Sequence, residues 1–528
     1  MAEKIKKNDL CFLGLGTLFS AVLLVWFLLI CTEDSISYDN SYQYFLNLHS
    51  WKEMFSLILV DYSPPLYSVV LKLFSMVFGT GLVTVRVLSL ILLCSLFFFA
   101  LFPLRRLMGS GCALTAAVLF LASSYNFYFG VAIRPTILAY VLTTGMFIYA
   151  ALAFFSDKKS DLTVFTVLSI LCMYTHNVSL IAAFCIYSSS LVTALVRRRM
   201  DVFKRFLISG ITVAVLYIPW LIVLITQTGN VSDHFWVSND SLPYGLYLAL
   251  MGYVGNLAND VLSLPSVMLI ILLPFINIFL LLGKDDLKNA KGFADLLPVK
   301  KMKTGWPGLH KLLYLLLTVC LSVTVFYLVT EFVAPIFARR YFFIFSGAGI
   351  VILSSLATLC KNRKVPAVLL SVFAVFTFVF NTYEERKIID MSDRDLMIAD
   401  INGMKGSEPS FIDLYEETLG VTSYYFRDSK HYVTEDTFTV LPDFDVFGTD
   451  TVYMENGDDL WDYTDEVLLF SAIDFEYYDT DPVEYYLYYF KTPQDVELSY
   501  IGHYNLPYTN EIGYGIYDID LYRVCRKR

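Results

Sequence analysis

Charge is scarce in this chain: only 17% of its 528 residues are Asp, Glu, Lys or Arg, while 56% are hydrophobic. That balance argues against a soluble globular protein, and many apolar runs are long enough to cross about 30 Å of hydrocarbon. The nine cysteines fall almost entirely inside those runs. They show no CxxC and no His-paired spacing, so small buried hydrophobes are expected, not a disulfide framework or a zinc site. No nucleotide-sugar motif, phosphate-cradling glycine loop, internal repeat or low-complexity segment occurs. Acids are rare within the apolar runs, Glu331 lying near the end of one. A transporter or flippase, one reading of a polytopic chain, calls for paired half-repeats and charges near the bilayer centre.

Apolar runs fall near 10–31, 82–104, 110–128, 135–155, 162–176, 178–196, 206–226, 265–283, 311–333, 341–360 and 365–381. The first follows Lys4, Lys6 and Lys7, exceeds a signal-peptide core and lacks a cleavage site, so it is expected to stay as an anchor. The runs predict an α-helical polytopic membrane protein of about 11 transmembrane helices, with 246–264 either crossing or lying along the interface. The connections Arg105-Arg106, DKKSD at 157–161, RRRMDVFKR at 197–205, the lysine-rich link 284–311 and KNRK at 361–364 hold most of the basic residues. By the positive-inside rule they face the cytoplasm, together with the N-terminus of a plasma-membrane protein. The opposite side receives the loop after the first helix, the loop 227–245 and everything beyond Asn381.

That last part reads as a second domain, 382–528, set apart from 1–381. It carries 32 acids against 11 bases, a net of about −21, whereas the whole chain is −10. FIDL at 411, the amphipathic stretch 416–426, HYVT at 431, EVLLFSA at 466, VEYYLYYF at 483 and two late alternating runs predict a C-terminal extracytoplasmic α/β domain. Its many tyrosines are suited to core and strand packing, or to stacking on sugar rings.

The chain is organised around its first outer loop, 32–82. Glu33 and Asp34 follow the membrane exit, then Asp39-Asn40-Ser41-Tyr42, an amphipathic stretch to Val60, and Asp61-Tyr62-Ser63-Pro64-Pro65-Leu66-Tyr67. The two prolines open a helix, because a first-turn proline forfeits only an amide that has no partner. From Leu66 to Phe78 the polar residues Ser68, Lys72 and Ser75 recur at helical spacing, which predicts a helix in the interface stopped by Gly79-Thr80-Gly81.

These residues, with Phe78-Gly79 and Val85-Arg86-Val87-Leu88-Ser89, resemble the D-E-x-Y, D-x-H-P-P-L-Y, F-G and R-L-x-S pattern of GT-C membrane glycosyltransferases. The type resembled is that of the protein mannosyltransferases and aminoarabinose transferases (glycosyltransferase family 39-like). The likeness continues through Tyr128 to Arg134, Tyr174-Thr175-His176 and Arg340-Tyr341, about the first 360 residues. It implies a polyprenyl-phosphate-sugar donor in the outer leaflet, transfer of its sugar to an envelope glycan, glycolipid or protein, inversion at the anomeric carbon, and Asp39 as general base. Two departures stand out. The family's Glu is Asn40 and its His is Ser63, so no tightly held metal is expected, and Asp39 and Asp61 are left to share a divalent cation weakly at most. The family's R-x-Y is Arg134-Pro135-Thr136.

The residues themselves point to a phosphate. Arg134, just before Pro135, and Arg340, just before the 341–360 run, stand at outward helix N-termini, where backbone and guanidinium both favour an anion. With what the resemblance implies, the site set is Asp39 and Asp61 as catalytic carboxylates, Arg134, Arg340 and Tyr341 on the donor phosphate, and Asn40, Tyr42, Ser63, Tyr67 and His176 around them. Each has a structural counterpart: Asp39 a solvated loop acid, Asp61 a cap of the interfacial helix, the arginines snorkelling residues, His176 a satisfied turn histidine. Arg86 reads as an ion-pair or packing residue.

Overall fold

The computed structural model describes residues 2–31, 36–61, 63–123, 125–156, 158–231, 241–251, 308–332, 337, 339–358, 364–404, 409–414, 416–434, 444–448, 450–471, 482–490, 492–510 and 513–527. The helices of the first part are α1 (Ala2–Ile30), α2 (Tyr38–Leu48), α3 (Trp51–Val60), α4 (Leu66–Phe78), α5 (Leu82–Phe99), α6 (Ser110–Leu121), α7 (Tyr125–Phe129), α8 (Pro135–Phe155), α9 (Lys159–Met173), α10 (Asn177–Val196), α11 (Met200–Val231), α12 (Leu242–Met251), α13 (Leu309–Phe332), α14 (Arg339–Thr358) and α15 (Lys364–Ile389). Among the described residues seven helices are long and apolar enough to cross a membrane. The chain is a multi-pass membrane protein. The run expected at 265–283, with most of 246–264 and of the link 284–311, lies outside the described residues.

Differences from the expected runs have local causes. The run 110–128 does not continue as one helix: α6 ends at Leu121 because Asn126 Nδ2 donates to the Phe120 and Leu121 carbonyls (2.5 and 2.9 Å), closing the last turn. At 12 residues α6 is shorter than a span. The run 162–176 becomes the 15-residue α9 and a tight turn at Tyr174–His176. The junction placed at 381 falls inside α15, a continuous helix to Ile389. In contrast, α4 spans Leu66–Phe78 as the polar spacing requires, and Gly79 stops it with φ 99°, a conformation open to glycine.

One end of the bundle gathers cations. Arg106 holds the buried Asp161 through both carboxylate oxygens (3.0 and 2.9 Å), Arg105 pairs with Asp9, Arg199 donates to the Phe154 carbonyl (3.0 Å) and Lys311 to that of Leu107 (2.7 Å). Arg106, Asp161, Arg199 and Lys311 belong to four of the basic connections, so the described parts of those four meet at one end.

The tail is a three-layer α/β unit. Its six-stranded sheet has the order β3-β2-β1-β4-β6-β5, built from β1 (Ser410–Asp413), β2 (Lys430–Thr434), β3 (Asp450–Met454), β4 (Glu466–Ser471), β5 (Val496–Asn510) and β6 (Gly513–Arg526). β1 to β4 pair in parallel, while β5 and β6 form an antiparallel hairpin added at the β4 edge. Strand alternation sorts the two cores: Ile412, Tyr432, Leu469 and Val524 point to one face, Phe411, Leu468, Phe470 and Leu521 to the other. Helices α16 (Arg394–Gly403) and α17 (Glu416–Tyr425) cover the second face through Met397, Ile401 and Val421, and α18 (Pro482–Leu487) covers the first through Tyr486.

Candidate active site

The site is assembled on α2. Ser37 precedes the helix in extended backbone, and Asp39 lies in its first turn, where the helix N-terminus favours a carboxylate. The next residue turns inward: Asn40 is 1% exposed, donates from Nδ2 to Ser37 Oγ (2.8 Å) and accepts the Ile133 N–H at Oδ1 (2.6 Å). That single side chain ties α2 to the segment leading into Arg134. Arg134 is the N-cap of α8, extended at φ −143°, ψ 149°, with Pro135 in the first turn behind it. Its guanidinium bonds the Asp39 carboxylate, the arginine 17% exposed and the aspartate 42%.

Beneath this pair the support is buried. Ser89 Oγ donates to the Ala132 carbonyl (2.6 Å), and Tyr67 is fully buried with its hydroxyl beside Ser89 and the Arg134 backbone. A polar ladder zips α2 to α4, with Gln43 Nε2 donating to Ser68 Oγ and Asn47 Nδ2 to Ser75 Oγ, both at 2.9 Å. Lys72 Nζ donates to the Asn47 and His49 carbonyls (2.7 and 2.5 Å), closing the C-terminus of α2 where a cation is favoured. The serines and lysine that mark α4 as amphipathic thus face α2 and orient it.

The other candidates fall into separate places. The Leu66 N–H donates to the Tyr174 carbonyl (2.9 Å), which brings the Tyr174–His176 turn against the start of α4. His176 is the N-cap of α10, its Nδ1 accepting from the Val178 N–H (3.2 Å), and its ring lies 5.4 Å from that of Tyr341. His176 is therefore a capping histidine that also faces Tyr341. Arg340 lies in the first turn of α14, and its side chain is outside the described residues, as are Glu33 and Asp34. Asp61 ends α3: its N–H reaches the Leu57 carbonyl, and its own carbonyl accepts from Gln227 Nε2 of α11. Ser63 is half-buried in the bend before Pro64. Tyr42 turns toward the tail, 6.4 Å from the Phe447 ring. Arg86 is fully buried within α5.

The site residues that sequence reasoning missed are the holders. Ser37, Gln43, Ser68 and Gln227 carry no chemistry that a motif advertises, and Ser89 was visible only as the last position of the R-L-x-S likeness. Among the described residues no group of three or more His, Cys, Asp and Glu is placed to hold a metal. In this geometry Asn40 Oδ1 accepts the Ile133 amide and Asp39 pairs with Arg134. What it assembles is a half-exposed carboxylate and a guanidinium at two helix N-termini, able to take a proton and hold a phosphate.

No family model matches the chain, and no curated protein matches it. Solved structures do. ArnT from Cupriavidus metallidurans bound to undecaprenyl phosphate is 13% identical over 97% of this chain and 98% of its own, with a TM-score of 0.56. The same protein in the apo state gives 0.49 at the same identity and coverage. The archaeal oligosaccharyltransferase AglB from Archaeoglobus fulgidus, in complex with an inhibitory peptide and a dolichol-phosphate, gives 0.44 at 9% identity over 96% of this chain and 74% of its own. The first likeness shows the fold: this chain is folded like ArnT over nearly its whole length, helical bundle and tail together.

Proposed function

We propose that this protein is a membrane glycosyltransferase that moves a sugar from a polyprenyl-phosphate donor to an acceptor outside the cytoplasm. The observation that carries the reading is the Asp39–Arg134 pair, fixed by Asn40 at the N-termini of α2 and α8. The fold supports it, being shared with a protein solved with undecaprenyl phosphate. The orientation follows from charge: basic connections inside, first loop and acidic tail outside.

In the reaction so read, the donor phosphate takes the Arg134 guanidinium and the helix N-terminus behind it. Asp39, released from Arg134, accepts the proton of an acceptor hydroxyl or amine as that atom attacks the anomeric carbon. The new glycosidic bond forms as the bond from carbon to phosphate oxygen breaks, and polyprenyl phosphate leaves with its charge held by Arg134. Direct displacement of this kind inverts the anomeric centre. His176 and Tyr341 line the neighbouring turn, with Arg340 at the start of α14 as a second cation for the donor. Asp61, at the end of α3, flanks the same loop as a reserve carboxylate.

The test uses purified full-length protein in detergent, a synthetic polyprenyl-phosphate-hexose and a cell-envelope extract as acceptor. Steady release of polyprenyl phosphate with labelled acceptor is expected, and Asp39→Asn should fold normally and give neither. Normal turnover by that variant removes Asp39 from the mechanism, and no turnover by the unaltered protein with hexosyl or pentosyl donors removes the reading.

A further inference from the structure

The tail does not hang free of α2. Helix α17 lies against it at Gly420, where an added Cβ would stand 2.7 Å from Ser41 Oγ and 2.9 Å from the Tyr38 Cα. A serine hydroxyl can rotate away; a backbone atom cannot. Tyr38 is the first residue of α2 and the one before Asp39. The contact continues along the helix: Tyr424 meets Tyr44 edge-on at 5.6 Å, and the Arg427 guanidinium lies 5.8 Å from the Phe45 ring. Farther on, His49 Nε2 donates to the Val446 carbonyl (2.7 Å). α2 is thus held on one side by Asn40 and the α4 ladder, and on the other by the tail, with Asp39 between the two grips.

We infer that Gly420 is a positioning residue: its missing side chain lets the tail seat on the backbone of α2 at Tyr38, so that the tail sets where Asp39 stands relative to Arg134. This rests on the reading of Asp39 as the base. It gives the acidic domain a part in the reaction, because a carboxylate displaced by a fraction of an ångström loses its line to the proton it takes. Substitution by alanine forces α17 and α2 apart, since no real Cβ tolerates a backbone carbon at that distance.

The experiment compares Gly420→Ala with Gly403→Ala in the full chain, Gly403 having open space around its Cα. For G420A, kcat for sugar transfer should fall about tenfold or more while KM for the polyprenyl-phosphate-hexose stays within about twofold, and G403A should match the unaltered protein. Hydrogen exchange at 38–41 should quicken in G420A whatever the activity. Unchanged kcat overturns the inference whatever the exchange shows, and so does a fall in kcat no larger than the loss of folded protein read by thermal unfolding, because unfolding lowers kcat and leaves KM where it was. Faster exchange in a protein whose unaltered form turns over no donor leaves the docking standing and overturns the catalytic role of Asp39, and with it the positioning role.

Discussion

Replacing Asp39 by Asn should make the protein bind polyprenyl phosphate more tightly while ending transfer. In the structure the two groups assigned to base and phosphate bind each other, so an arriving phosphate must displace the carboxylate from Arg134. With Asp39 42% and Arg134 17% exposed, the pair is closer to a surface ion pair than to a buried one. Its net worth is then about 1 kcal/mol or less, and repulsion between the carboxylate and an incoming phosphate adds a similar amount. Removing both yields about 1–2 kcal/mol, a Kd lower by about fivefold to thirtyfold. Undecaprenyl phosphate titrated into detergent-purified protein, followed by calorimetry or native mass spectrometry, reads the difference. Added salt should narrow it, because half-exposed charges are screened. An unchanged or weaker affinity in D39N, with Arg134→Ala binding as well as the unaltered protein, refutes the exchange. If the exchange holds, binding is ordered: Asp39 is released from Arg134 to act as base only after the donor has arrived.

Asn40→Ala should strand the buried Ile133 amide at a cost of about 1–3 kcal/mol and loosen Arg134, so donor affinity and kcat fall together; thermal unfolding and steady-state kinetics measure both. Asn40→Asp keeps the acceptor for Ile133, loses the donor to Ser37 and sets a second acid by the pair, and should bind donor more weakly than N40A. In the tail, Asp413 accepts from Thr422 Oγ1 (2.8 Å) and meets His431 Nδ1 at 2.7 Å, all of them buried. Asp413→Ala should therefore destabilise that domain by about 3 kcal/mol or more, read from its melting. Burial, and next the Asp400 carboxylate, push the Tyr504 hydroxyl from 10 to about 12. A raised phenol keeps its proton in the fold while the unfolded chain loses it, so the stabilisation is whole below pH 10 and is lost as pH rises through about 12. Tyr504→Phe should flatten that alkaline fall, followed by tyrosinate absorbance and melting.

Legibility in the sequence followed the physics of each signal. The bundle was legible because hydrocarbon demands long apolar runs, and α4 was legible to the residue because two prolines, a helical polar spacing and a glycine at positive φ mark it. The strands at Phe411 and His431 and the two late strands β5 and β6 were legible as strands, while their parallel and hairpin pairing was not. The breaks were harder. Nothing in the 110–128 run announces that Asn126 folds back on two carbonyls, and no hydropathy pattern ends a domain inside α15. At the site, chemistry-bearing residues were visible and their partners were not. Asn40 read as a lost metal ligand, whereas its amide pins one segment to another 93 positions away. Asp39 and Arg134 read as two ends of one reaction, while the fold makes them each other's counterion, 95 positions apart. Gly420 had no signal at all, because what matters there is the absence of a side chain against a helix nearly four hundred residues earlier. Long-range contacts of this kind fix position to tenths of an ångström, and it is position that turns a carboxylate of ordinary type into a base.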